Sequence, residues 1–240
     1  MHVDEANKRI VMYFHGEGVS KNYPGCNQLS YVSISKDGLN FNAFSYPVAP
    51  FYLRMFKVND KFYGIAKNRN KNGLLLVSSD WLKPFKILRE VFPRIRHSAI
   101  FVDVKHILMF YSRIGDKPES IMLSRIPLEK FPKFFCINQV ELVAKPEMEY
   151  EGVDIRANHS FPGKSRTRSQ EVRDPAIFSE DGRLYLLYSN AGEAGICISE
   201  YHDKENEVIN STLLNEYYTR AISSRLYRQI IYKLKSMITS

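Results

Sequence analysis

Glu171-Val172-Arg173-Asp174-Pro175-Ala176-Ile177-Phe178, continued through Ser179-Glu180-Asp181-Gly182-Arg183 to Leu184-Tyr185-Leu186-Leu187-Tyr188-Ser189, reads as strand, tight turn, strand. Asp181-Gly182 supplies the two residue types that most readily accept left-handed dihedrals, as a two-residue hairpin turn requires. The first strand is apolar, yet it is entered through Arg173-Asp174. A charged pair at that place is either a structural ion pair or the sign of a strand that starts at a polar cavity.

The same pattern occurs three more times upstream. Residues 2–16 give a polar turn and then Ile10-Val-Met-Tyr-Phe-His-Gly16. Leu53 to Val58, Asn59-Asp60 and Lys61 to Lys67 form a second hairpin, and His97 to Val102, Asp103-Val-Lys105 and His106 to Ser112 a third. Aligning Phe14, Ile65, Tyr111 and Tyr188 gives intervals of 51, 46 and 77 residues. A further strand follows each hairpin, at Tyr31–Ser35, Leu74–Ser79, Ile121–Ser124 and Gly195–Ser199. Two of these run into similar turns, Ser35-Lys-Asp-Gly-Leu-Asn-Phe41 and Ser79-Asp-Trp-Leu-Lys-Pro-Phe85. Short strands recurring every 45 to 50 residues or so are the signature of a β-propeller blade, a four-stranded sheet whose apolar hairpin is the inner pair. The reading is an all-β propeller over residues 1–205, with repeats at about 2–45, 51–90, 96–140 and 172–203. The long interval holds an inserted loop, 141–171, either solvated or a flap over an anionic or polar ligand.

Composition bounds the function. Thirty Phe and Tyr residues favour strands. The net charge is +8, but residues 211–240 hold five Lys/Arg and one Glu, so half of it sits at the C-terminal end. Apolar residues at 213, 214, 217, 221, 222, 226, 230, 231, 234 and 237 have helical spacing, predicting an amphipathic helix over 210–238. That helix either packs on the propeller or makes a weak peripheral membrane or partner contact. With no nucleic-acid module in view, nucleic acid is not the expected partner. Cys26, Cys136 and Cys197 are odd in number and far apart, which predicts free thiols and a cytoplasmic protein. No phosphate loop, metal motif or Gly-x-Ser-x-Gly occurs, so no metal or cofactor is expected.

In a propeller the starts of the inner strands converge on one funnel. Here those starts read His2 and Asp4; Tyr52 and Arg54; Arg96, His97 and Ser98; Arg173 and Asp174. The insert adds Glu151 and Asp154 upstream of the fourth.

Arg173-Asp174-Pro175-Ala176-Ile177-Phe178, with Asp181-Gly182 and Tyr185-Leu-Leu-Tyr-Ser189, resembles the five-bladed β-propeller glycosidase superfamily of arabinanase/xylosidase-like and invertase-like enzymes. His2 to Gly16 and Arg96-His97-Ser98-Ala99 look like an uncharacterised bacterial branch of it. The resemblance covers about residues 2–203 and implies a chain lacking an N-terminal blade. It also implies cleavage of a glycosidic bond by two carboxyl groups in the funnel. On that match Asp174 supports the sugar, Asp4 is a candidate base or nucleophile and Glu151 a candidate acid. His2, Tyr52, Arg54, Arg96, His97, Asp154 and Arg173 are candidate substrate contacts. A non-catalytic carbohydrate-binding propeller and a truncated inactive homologue are the alternatives.

Overall fold

A computed structural model describes residues 1–136 and 140–202. The helix expected over 210–238 lies outside the described residues. Among the described residues sixteen strands form four antiparallel sheets, each ordered along the chain from the first hairpin of its repeat, with one strand of the first sheet off that path.

The first sheet orders β1 (His2–Asp4), β2 (Arg9–Glu17), β3 (Gln28–Ser35) and β4 (Asn42–Ala43), with β5 (Ala49–Pro50) also on β3. The second orders β6 (Arg54–Val58), β7 (Lys61–Asn68), β8 (Asn72–Ser78) and β9 (Lys86–Pro93). The third orders β10 (Ile95–Val102), β11 (His106–Arg113), β12 (Ile121–Pro127) and β13 (Val140–Ala144). Among the described residues the fourth has β14 (Val172–Glu180), β15 (Arg183–Asn190) and β16 (Gly195–Tyr201).

By contact the chain divides into a larger unit, 1–177 with 187–198, and a smaller one whose described residues are 178–186 and 199–202. In the smaller unit Asp181 and Gly182 both have positive φ (51° and 76°), the turn their chemistry predicted. Phe178 stacks on Tyr185 there.

In the larger unit, alternate residues of a strand face opposite neighbours. Leu75 and Leu76 of β8 are both fully buried, but in different cores. Leu76 joins Val11, Val32, Met55, Phe62 and Phe85 between the first and second sheets. Leu75 joins Phe56, Ile65, Ile107, Met109 and Tyr111 between the second and third. Fully burying each such side chain stabilises by about 1.5–3 kcal/mol. The second sheet is therefore a wall shared by two cores, and inner strands β6 and β10 lie beside each other.

Two boundaries differ from the sequence reading. Residues 140–144 are β13, the outer strand of the third sheet, so the insert starts after Ala144. The turn matching Ser35-x-Asp37 begins at Ser78, not Ser79. Ser35 Oγ and Ser78 Oγ each accept from the amide two residues on, Asp37 and Asp80 respectively. The carboxylates of those two Asp residues then receive the amides of Leu39 and Leu82.

The stretch after β13 is held at many points. Ser160 N–H donates to the Asp116 carbonyl, and the Gly115 and Ser169 amides reach Ser160 Oγ and the Ala191 carbonyl. Gly152, at φ +85°, lies so close to the Ser169 carbonyl that an added Cβ would sit 2.5 Å from it.

Candidate functional site

Backbone irregularities mark the strand starts. Tyr52 enters β6 at φ 59° and Asp174 lies in β14 at φ 57°, a region that non-glycine residues seldom occupy. The β10–β11 register shifts between Ile95 and Ser98, so Arg96 and His97 sit on an irregularity that re-aims their side chains. Residues held this way cost on the order of 1–3 kcal/mol each and cluster at functional sites.

These residues meet. His97 Nδ1 hydrogen-bonds Asp174 Oδ1, and Ser189 Oγ donates to Asp174 Oδ2 at 3.3 Å. The Tyr52 ring stands edge-on to His97 at 4.2 Å between centroids, and the His15 ring packs on Tyr52 at 4.4 Å. Arg54 Nε donates to the Ser98 carbonyl at 3.0 Å and feels the Asp174 charge. Lys67 is buried; its Nζ donates to Asn70 Oδ1 at 3.1 Å and lies over the faces of Phe51 and Tyr52. Asp174, Glu119 and Arg96 all act on its charge.

A second layer is ionic. Arg96 Nε bonds both oxygens of fully buried Glu119, at 2.7 and 3.0 Å. Arg173, 2% exposed, donates to the Gly192 carbonyl and pairs with Glu193 at 2.8 Å and Glu171 at 3.4 Å.

Protonation follows from these surroundings. Burial alone would raise the Asp174 pKa, but the His97 hydrogen bond and the Arg173 and Arg96 charges outweigh it and hold the carboxyl below its usual range. Burial raises Glu171, with Arg173 opposing. Burial pushes Lys67 down to about 8, and His2 down to about 3 with help from the N-terminal amine and Arg54. Tyr52 is raised by burial and then by Asp174 and Glu193.

The structure brings Tyr52, Arg54, Arg96, His97, Arg173 and Asp174 to one place. His2 is near enough to feel Arg54, and its ring packs on Tyr13 and Trp81. The other expected residues are held elsewhere. Asp4 caps the turn after β1: it accepts from Asn7 Nδ2 at 2.9 Å and Arg9 Nε at 2.8 Å. Glu151 folds its own loop, accepting from the Glu147 and Met148 amides and, at 2.8 Å, from the Tyr188 hydroxyl. Asp154 pairs with Arg168 at 3.2 Å on the surface.

His15, Lys67 and Ser189 were missed, as were Glu119, Glu171 and Glu193. The first three end the second strand of their hairpins. An antiparallel strand returns to the end where its partner began, so the ends of β2, β7 and β15 belong to the same site as the starts of their partners. Among the described residues no group of three His, Cys, Asp or Glu side chains is placed to hold a metal ion, and no helix is long and apolar enough to cross a membrane.

Comparison with known proteins places this fold. No protein-family model matches the chain. The uncharacterized protein R118 of Acanthamoeba polyphaga mimivirus is 28% identical over 217 residues, covering 82% of this chain and 58% of that protein. The chain thus spans little more than half the length of this curated relative. Among solved structures, an exo-1,5-alpha-L-arabinanase from a bovine ruminal metagenomic library superposes with a TM-score of 0.56 at 11% identity, over 85% of this chain and 74% of that one. A thermostable family-43 glycoside hydrolase gives 0.55 at 15%, over 82% and 66%. An endo-arabinase from Bacteroides thetaiotaomicron VPI-5482 gives 0.54 at 14%, over 86% and 75%. At such identities the likeness is one of fold: the all-β propeller of glycoside hydrolases, here with four sheets described.

Proposed function

We propose that the protein is a carbohydrate-active enzyme of the five-bladed propeller type that cleaves a glycosidic bond at Asp174. The observation that carries this reading is Asp174 itself. It is a carboxylate in a left-handed backbone conformation, kept ionised by His97 and neighbouring arginines, where residues of three sheets meet. The fold shared with family-43 structures supports the same reading.

Glycoside cleavage needs a second carboxyl group that keeps its proton until the leaving oxygen takes it. Glu171 suits that role. Among the described residues it is the carboxyl group whose pKa is raised, and it reaches the centre through Arg173. In this proposal Asp4 and Glu151 hold their turns and Asp154 holds the insert. His15 and Tyr52 form an aromatic wall for a sugar ring, while Arg54, Lys67 and His97 provide hydrogen-bond donors. A cytoplasmic location is part of the proposal, resting on the odd number and wide spacing of Cys26, Cys136 and Cys197 in the sequence.

The test is hydrolysis of a panel of nitrophenyl glycosides and oligosaccharides by the protein and by Asp174→Asn. Asn tolerates positive φ, so this variant keeps the backbone. We expect turnover by the parent and a loss of at least about 100-fold in kcat/KM in the variant, near 2.7 kcal/mol of transition-state stabilisation. Equal rates would remove Asp174 from the site. The aromatic wall also fits a non-catalytic carbohydrate-binding propeller. Sugar binding without turnover of any panel member would decide for that reading.

A further inference from the structure

We infer that the ligand is an anionic saccharide, carrying a carboxylate or a phosphate, and that its anionic group is received by a cavity inside the inserted stretch, between residues 155 and 173. This rests on the carbohydrate reading above and names its substrate class.

The cavity measures about 290 Å³, and Glu171 and Arg173 are among its lining residues, the latter adjoining Asp174 in the chain. A group bound there touches Arg173, whose charge also acts on Asp174. Its walls carry Arg156, Lys164, Arg166 and Arg168, and Glu171 is the single carboxylate that lines it. Arg168 is occupied by Asp154 and the Glu149 carbonyl. Arg156, Lys164 and Arg166 have no acidic side chain within ion-pair distance among the described residues.

The walls are also fixed in place. Arg96, itself locked on Glu119, donates to the carbonyls of Phe161 and Gly163, so the centre and the cavity share one clamp. Ser160 and Ser169 tie the same stretch to the third and fourth sheets.

An independent observation points the same way. At the centre, Arg96 pairs with Glu119 and Arg173 with Glu193, whereas buried Lys67 is in ion-pair contact with no carboxylate among the described residues and feels Glu119 and Asp174 only at a distance. Lys67 donates to a neutral amide and lies against two rings. A buried cation with incomplete compensation is stabilised by an incoming anion. A neutral sugar would leave these uncontacted cations as they are. A carboxylate or phosphate compensates them, and charge-assisted hydrogen bonds from guanidinium forks suit both groups.

The experiment is a glycan array with matched neutral, uronate-bearing and phosphorylated saccharides, single-stranded RNA as a separate probe and inorganic phosphate as a competitor. The full chain is compared with Lys164→Ser/Arg166→Ser. We expect anionic glycans to dominate, uronates or phosphosugars first according to which group the cavity takes. We also expect the double variant to bind them about tenfold more weakly, with its melting temperature unchanged, and binding to weaken with added salt. Preferential binding of neutral glycans would overturn the inference and leave the carbohydrate reading intact. Binding of RNA in place of glycans, or of no probe, would overturn both. Phosphosugars held no more tightly than inorganic phosphate, or equal affinity in the double variant, would also overturn it.

Discussion

Lys67 shows how one residue can be costly to the fold and useful to a ligand. Its ammonium is buried at the end of β7, and its pKa falls to about 8 from an ordinary 10.5. The sign follows directly. Below pH 8 the lysine is charged in both folded and unfolded chains, and the folded state bears the whole desolvation cost. Between pH 8 and 10.5 the folded chain sheds its proton first and the cost fades. Lys67→Met should therefore raise stability at pH 7 by about 1–3 kcal/mol, after allowing for the lost Asn70 and ring contacts. Urea titrations of the two proteins should converge as pH approaches 10.5. A variant less stable than the parent at pH 7 would show that Lys67 is already fully compensated. Asp4 is the opposite case, a carboxylate whose oxygens are already taken by Asn7 and Arg9. Asp4→Asn keeps a capping side chain and loses the ion pair. It should cost about 1 kcal/mol of stability and leave kcat within twofold. A hundredfold loss of kcat with normal stability would restore Asp4 to the chemistry.

At the scale of elements, strands and turns were legible in the sequence because their chemistry is local. Alternating apolar residues and Asp181-Gly182 specify a hairpin without knowledge of anything distant. The role of a carboxylate is not local in this sense. Asp4, Glu151 and Asp174 look alike as residues before or beside strands. The difference is that Asn7 and Arg9 curl back on the first, Met148 and Tyr188 enclose the second, and His97 from another sheet meets the third. Glu119 and Lys67 were illegible for a related reason, since Arg96 lies 23 residues from the first and the second rests over the faces of Phe51 and Tyr52. The insert was visible as an interruption, but its anchoring was not. That anchoring makes a contrast between two glycines. Gly152 and Gly163 both have positive φ, yet an added Cβ at 152 would strike the Ser169 backbone while one at 163 would meet nothing within 4 Å. Gly163→Ala should cost about 1 kcal/mol of backbone strain; Gly152→Ala should cost more and loosen the insert. Limited proteolysis should cut Gly152→Ala between residues 145 and 171 several times faster than Gly163→Ala. Equal cutting would mean that the contact with Ser169 does not hold the insert.

For the molecule as a whole, the consequence of the two cores is cooperativity. The second sheet gives one face to each core, through neighbours such as Leu75 and Leu76. Losing either core strips one side of that sheet, so neither core should survive the other. The sequence provides a reporter in Trp81, the single tryptophan, packed on Phe62 at 4.8 Å beside the core between the first and second sheets. Leu75→Ala opens a cavity in the other core and should cost about 2–5 kcal/mol. If the shared wall couples the cores, that distant truncation lowers the melting midpoint seen by Trp81 fluorescence as much as the one seen by far-ultraviolet circular dichroism. Leu76→Ala, on the reporter's own side, should shift both probes together as well. Coincident midpoints from the two probes are the signature of a single transition. A Trp81 midpoint that stays put in Leu75→Ala while the dichroism midpoint falls would mean that each pair of sheets melts alone. Residues of the second and third sheets would then meet β14 at Asp174 without the mechanical coupling that keeps Tyr52, His97 and Asp174 in register.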